Sequence, residues 1–171
     1  MAEDKQVLYD LRITYSGPFL VEDFYVEIDN WIKQNGFEKE PKKKSEQVTK
    51  NGKRIEYVIE IFRPLDDLHK GVIVLRALFD NVKEVAVKKD GKKIRINNGN
   101  VHVNIDGFIQ SIIHGSFWQV KPIYYFIRAL IDQYIYNFWS WKWDGAVANS
   151  GHELFKSIRA FFNVQRYKYE F

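Results

Sequence analysis

Three dipeptides do most to limit the folds open to this chain: Asn51-Gly52, Asp90-Gly91 and Asn98-Gly99. Each joins a residue that tolerates a left-handed backbone to one with no side chain to oppose it, the combination that closes two-residue β-hairpins. Their flanks are strand-like. Ile55, Tyr57, Ile59 and Ile61 alternate with Arg54, Glu56, Val58 and Glu60, the period of a sheet buried on one face. Val72 to Lys89 is too β-branched for a helix, and its alternation slips at Asp80-Asn81, so a long bulged strand is expected. After Asn98-Gly99, Val101, Val103, Ile105, Ile109 and Ile113 share one face, and His102, Asn104, Asp106, Gln110 and His114 share the other. Gly107 marks a kink in that strand. Lys42 to Lys50 reads as a polar edge strand. The middle of the chain is therefore expected to be an antiparallel meander of four or five strands.

The ends supply helices. Val7, Tyr9, Leu11, Ile13 and Tyr15 form a first strand that Ser16-Gly17-Pro18 is expected to stop. Leu20, Phe24, Ile28, Trp31 and Ile32 then make an amphipathic stripe, closed by Asn35-Gly36. Pro122 suits the first turn of a second helix, with Ile123, Phe126, Leu130, Tyr134 and Phe138 on its apolar side. Trp139, Trp141 and Trp143 lead to a break at Asp144-Gly145. Ser150-Gly151-His152-Glu153 reads as a capping box for a last helix carrying Leu154, Phe155, Ile158, Phe161 and Phe162. The tail from Arg166 to Phe171 alternates like a short strand or a loose end. No repeat or linker divides the chain, and ten Tyr, thirteen Phe and five Trp can fill a large core. The expectation is a single α+β domain over residues 1–171: a curved antiparallel meander sheet packed on an N-terminal helix and a long aromatic C-terminal helix, plus one further helix.

This order of elements resembles the helix-grip arrangement of START-type proteins over roughly residues 5–140, which implies a curved sheet wrapped on a long C-terminal helix. It departs from that pattern in the extra last helix and in the single helical stripe after the first strand. Tyr15-x-Gly17-x-Phe19, Trp31 and Gly36-Phe37 also resemble the opening of small archaeal proteins that have no assigned activity. That resemblance implies no function.

The chemistry is mostly defined by what is missing. A chain without cysteine has no disulfide, thiolate nucleophile, zinc finger or iron–sulfur cluster. The opening Met1-Ala2-Glu3-Asp4 is acidic, unlike a signal peptide, and a cytoplasmic protein is expected. Arg128, Asp132 and Lys142 argue against a membrane span in the apolar run from Ile123 to Trp143. There is no Ser-nucleophile elbow, Walker loop or Gly-rich dinucleotide turn. His102 and His114 stand roughly 40 Å apart along an extended strand, too far to share a metal ion. His69 and His152 fall in a loop and at a helix start. Asp66-Asp67 reads as turn chemistry, and Glu56 and Glu60 as a solvated strand face. No catalytic, metal or cofactor-binding residue is assigned.

Two surfaces remain. Of the net charge of +4, residues 38–54 hold seven Lys/Arg against three Glu, and residues 83–95 hold six against one Glu and one Asp. Lys42, Lys43, Lys44, Lys50, Lys53 and Arg54 flank one hairpin turn; Lys88, Lys89, Lys92, Lys93 and Arg95 flank the next. Such lysines either guard edge strands against pairing or contact a phosphate backbone. The aromatics Tyr125, Tyr136, Trp141 and Trp143 fall off the apolar stripe, the pattern of an interface with a protein partner or a second copy. The function expected is a non-enzymatic binding or assembly module acting through protein–protein contacts or self-association. The alternatives are a nucleic-acid or ribosome-associated protein using the lysine hairpins, and a carrier of a small apolar ligand between sheet and helix.

Overall fold

The computed structural model describes residues 3–111 and 136–169. Their elements are β1 (Glu3–Phe19), α1 (Val21–Gln34), β2 (Glu38–Thr49), β3 (Gly52–Pro64), β4 (His69–Lys89), β5 (Lys92–Ser111) and α2 (Tyr136–Tyr169). The five strands form one antiparallel sheet in the order β1-β5-β4-β3-β2. The chain is thus α+β, with a meander from β2 to β5 and β1 laid back beside β5. The sheet stays open, with β1 and β2 as its edges. Asp90 and Gly91, at φ 52° and 76°, close the β4–β5 hairpin in the left-handed conformation their pair suits.

Five expectations are corrected. Ser16-Gly17-Pro18 does not stop β1, which pairs with β5 as far as Phe19. Pro18 sits on an edge strand, where its missing N–H is tolerated. Gly17 lets the Tyr15 ring fold over the backbone, and the Tyr15 hydroxyl donates to the Pro18 carbonyl at 2.6 Å. Nor is Asn98-Gly99 a turn: β5 runs straight through it, so two expected strands are one. A Cβ at Gly99 would lie 2.9 Å from the Asp80 carbonyl oxygen and 3.0 Å from Val82 Cα. On the other side, a Cβ at Gly52 would lie 2.8 Å from the Val82 carbonyl oxygen. The expected bulge in β4, with Asn81 at φ 52°, is therefore seated between two glycines of its neighbours.

The other three corrections concern the C-terminal helix. Asp144-Gly145 does not break it, Ser150 to Glu153 is no capping box, and the residues from Arg166 to Tyr169 are helical rather than a strand. The Ser150 hydroxyl donates back to the Ala146 carbonyl at 2.9 Å, inside the helix. The reason is packing. Half-buried Trp143 packs on the core before Asp144-Gly145. Val147, Leu154, Ile158, Phe162, Gln165 and Tyr169 continue as a buried stripe beyond it and through Ser150 to Glu153, and sheet contact outweighs the low helix propensity of two glycines. The helical stripe expected from Pro122 lies almost wholly outside the described residues.

Both helices cover the same side of the sheet. Tyr15 and Phe162 stack at 4.7 Å, Phe24 meets Phe79 at 5.3 Å and Phe162 at 5.8 Å, and Phe19 meets Phe79 at 5.6 Å. Where α1 and α2 cross the sheet, these rings occupy the interior. The start of α1 has no capping side chain of its own. Its Leu20 and Val21 N–H groups donate instead to Gln165 Oε1 at 3.2 Å and Asn97 Oδ1 at 3.5 Å, acceptors brought by α2 and β5. Among the described residues, no helix is long and apolar enough to cross a membrane.

Candidate nucleic-acid interface

The β3–β4 pairing ends at Lys53 and Val82, and the β1–β5 pairing ends at Phe19 and Asn97. Beyond those points β4 from Lys83 to Lys89 and β5 from Lys92 to Ile96 pair only with each other. The bulge thus launches a two-stranded arm from the sheet. Its apolar residues Val87, Ile94 and Ile96 pack with Leu20 and with Tyr169 at the end of α2. Buried apolar positions are odd-numbered in β5 from Val101 to Ile109 but include Ile96, so the arm turns its other face to the helix.

The two lysine hairpins differ in how their charge is used. In the β2–β3 hairpin, Lys42 pairs with Glu40 at 2.8 Å and Glu60 at 3.3 Å. Lys53 pairs with Glu46 at 3.1 Å, Arg54 with Glu56 at 3.8 Å, and Lys43 with Glu56. The hydrogen bond from Lys42 holds the Glu40 carboxyl below its ordinary pKa, and that from Lys43 does the same for Glu56. Lys44 sits 4.3 Å above the Tyr25 ring. Lys50, at the exposed turn, has no carboxylate partner among the described residues. This hairpin is largely neutralised from within.

The arm is not. Among the described residues, Lys88, Lys92, Lys93 and Arg95 make no ion pair, and all four are exposed. Lys88 stands directly across from Lys93, and Lys89 across from Lys92. Lys89 is partly occupied: its Nζ donates to the Lys168 carbonyl at 3.3 Å, at the negative end of the α2 dipole. Lys168 adds its own exposed charge, with Nζ 5.2 Å from the Tyr169 ring. The sequence reading missed the helical cations Arg159, Arg166 and Lys168. Their seven-residue spacing places Arg159 and Arg166 on one helical stripe, a signal hidden by reading the tail as a strand.

The remaining candidates are structural in their surroundings. Asp66 Oδ1 accepts the Leu68 N–H at 2.8 Å and the His69 N–H at 2.7 Å, which closes the β3–β4 turn, and the His69 ring lies against the same carboxylate at 2.8 Å. His102 is exposed on the uncovered sheet face, and no group of three metal-binding side chains occurs among the described residues. Trp143 is half-buried and packs on the core, with Lys142 Nζ 5.3 Å from its ring. The side chains of Tyr125, Tyr136 and Trp141, like His114, lie outside the described residues. Compared with protein-family models and with curated proteins, the chain matches none.

Proposed function

We propose that the protein is a binding module that holds single-stranded nucleic acid by its phosphates, through the β4–β5 arm and the adjoining end of α2. One observation carries this reading: Lys88 faces Lys93 and Lys89 faces Lys92 on a ribbon with no ion-paired carboxylate. Like charges directly across a strand pair cost stability, a cost that an anionic partner between them would relieve. Edge protection is a weaker account. The edge strand β2 obtains it with interleaved lysines and glutamates that neutralise one another, whereas the arm leaves its charge open.

The test is binding of a labelled single-stranded RNA of about 20 nucleotides, followed by fluorescence anisotropy across a salt series. With five cations engaged (Lys88, Lys92, Lys93, Arg95 and Lys168), log K is expected to fall with log salt at a slope of about −3.5. Changing Lys92→Gln and Lys93→Gln should lessen the slope by about 1.5 without lowering the melting temperature. Changing the already paired Lys43→Gln and Lys53→Gln should leave it unaltered. Absence of RNA binding at about 50 mM salt, or a slope indifferent to Lys92 and Lys93, refutes the proposal.

A further inference from the structure

A second cationic feature lies away from the arm. Between the free edge of β1 and the outer side of α2 runs a hollow of about 300 Å³, at the lower end of the range for small-molecule sites. Among the described residues, its lining includes Arg12, Arg159 and Arg166 and no acidic residue. Tyr15, Phe155 and Phe162 form its aromatic side. The guanidinium of Arg166 lies 5.2 Å over the Tyr15 ring, which is itself stacked on Phe162, so that its donors are held in a set direction. Arg12 is held by Asp10 at 2.6 Å, whose hydrogen bond keeps it firmly protonated. Arg159 and Arg166 have no ion pair among the described residues.

From this we infer that the β1–α2 hollow is a binding site for a nucleoside monophosphate or a closely similar phosphate monoester on a flat ring. A phosphate monoester carries about −1.5 to −2 charges near neutral pH, more than the single charge of a backbone diester, and so suits the guanidinium groups of Arg159 and Arg166, which no carboxylate among the described residues occupies. Tyr15 and Phe162 are closed in the core, and half-buried Phe155 offers the ring on which a base stacks. This site does not depend on the arm and stands or falls by itself.

The experiment is isothermal titration calorimetry of the full chain with adenosine monophosphate, ribose 5-phosphate and adenosine at low salt. Adenosine monophosphate is expected to bind with Kd below about 1 mM, and each of the two fragments at least about tenfold more weakly, since each lacks one of the two recognition elements. Arg159→Gln and Arg166→Gln should each weaken the nucleotide at least about tenfold, the loss of one charge-assisted contact, with an unchanged circular dichroism spectrum. Lys92→Gln with Lys93→Gln should leave nucleotide binding as it was while weakening RNA binding. No heat from adenosine monophosphate up to about 10 mM overturns the inference. So does binding indifferent to Arg159 and Arg166, and so does nucleotide binding lost with the arm lysines, which would place it there instead.

Discussion

Two glycines in α2 should respond to alanine with opposite sign. In an exposed helix interior, Gly→Ala contributes about 1 kcal/mol by removing backbone freedom from the unfolded chain. Gly145 meets that description, because a Cβ there would find no atom within 4 Å. Gly151 does not. A Cβ at Gly151 would run into Leu8 Cδ2, and Leu8 has little room to retreat. Leu8 is 5% exposed, and across from it a Cβ at Gly107 would lie only 2.9 Å from Leu8 Cβ. Leu8 of β1 is thus held between a strand glycine and a helix glycine, which is how α2 comes to lie close on the sheet. Overpacking of this kind costs about 1–3 kcal/mol, set against the same gain of about 1 kcal/mol. Gly145→Ala should therefore melt above the native chain, and Gly151→Ala at or below it. The gap between the two variants is about 1–3 kcal/mol, on the order of 6 °C for a chain this long. Differential scanning calorimetry of both variants reads it directly. In a Leu8→Ala background the clash is gone, and Gly151→Ala should turn stabilising by about 1 kcal/mol, a coupling that independent sites would not show. If Gly151→Ala melts as high as Gly145→Ala in the native background, the wedged Leu8 is not what sets the helix–sheet distance.

Other consequences concern buried and turn carboxylates. Asp106, 9% exposed, accepts Arg76 Nη1 at 2.6 Å, the Asp10 N–H at 2.8 Å and Gln6 Nε2 at 3.2 Å, and so holds Asp10 at its positive φ of 46°. Asp106→Ala removes the acceptor these donors share, the one the Asp10 N–H depends on, and should cost about 2–3 kcal/mol in urea unfolding, with Asp106→Asn costing less; equal midpoints for all three proteins would refute this. At Asp66, burial pushes the carboxyl up, but the Leu68 N–H, the His69 ring and the His69 N–H outweigh it and hold its pKa below the ordinary value. A depressed folded pKa stabilises the fold above the unfolded pKa, and that contribution is lost as pH falls through the folded one. The native chain should therefore be more stable than Asp66→Asn at about pH 6, and the two urea midpoints should converge by about pH 2–3; a gap that does not change with pH refutes it.

Where a pattern was local, the sequence determined the outcome. The alternation from Ile55 to Ile61 became β3 with those residues buried, and the stripe from Phe24 to Ile32 became the inner face of α1. Asp90-Gly91 became a hairpin, and the slip at Asp80-Asn81 became the bulge of β4. Each of these depends on a period or a backbone preference that neighbouring residues suffice to set. The same dipeptide chemistry failed wherever distant chain was the deciding partner. Asn51-Gly52 and Asn98-Gly99 are identical in sequence, yet the first stands at a reversal through Lys50-Asn51 and the second within a strand, with the β4 backbone pressing on both glycines. Gly145 and Gly151 look like helix ends until the sheet supplies a continuous buried stripe, and α1 lacks a cap until Gln165 and Asn97 arrive from elsewhere. The candidate interface divides in the same way. Composition located both lysine hairpins, but only strand register decided that Glu46, Glu56 and Glu60 would lie against the first and that lysine would face lysine in the second. The hollow beside β1 was less legible still, because Arg12 stands 147 residues before Arg159, and a site made of such residues exists only after long-range packing has brought them to one edge.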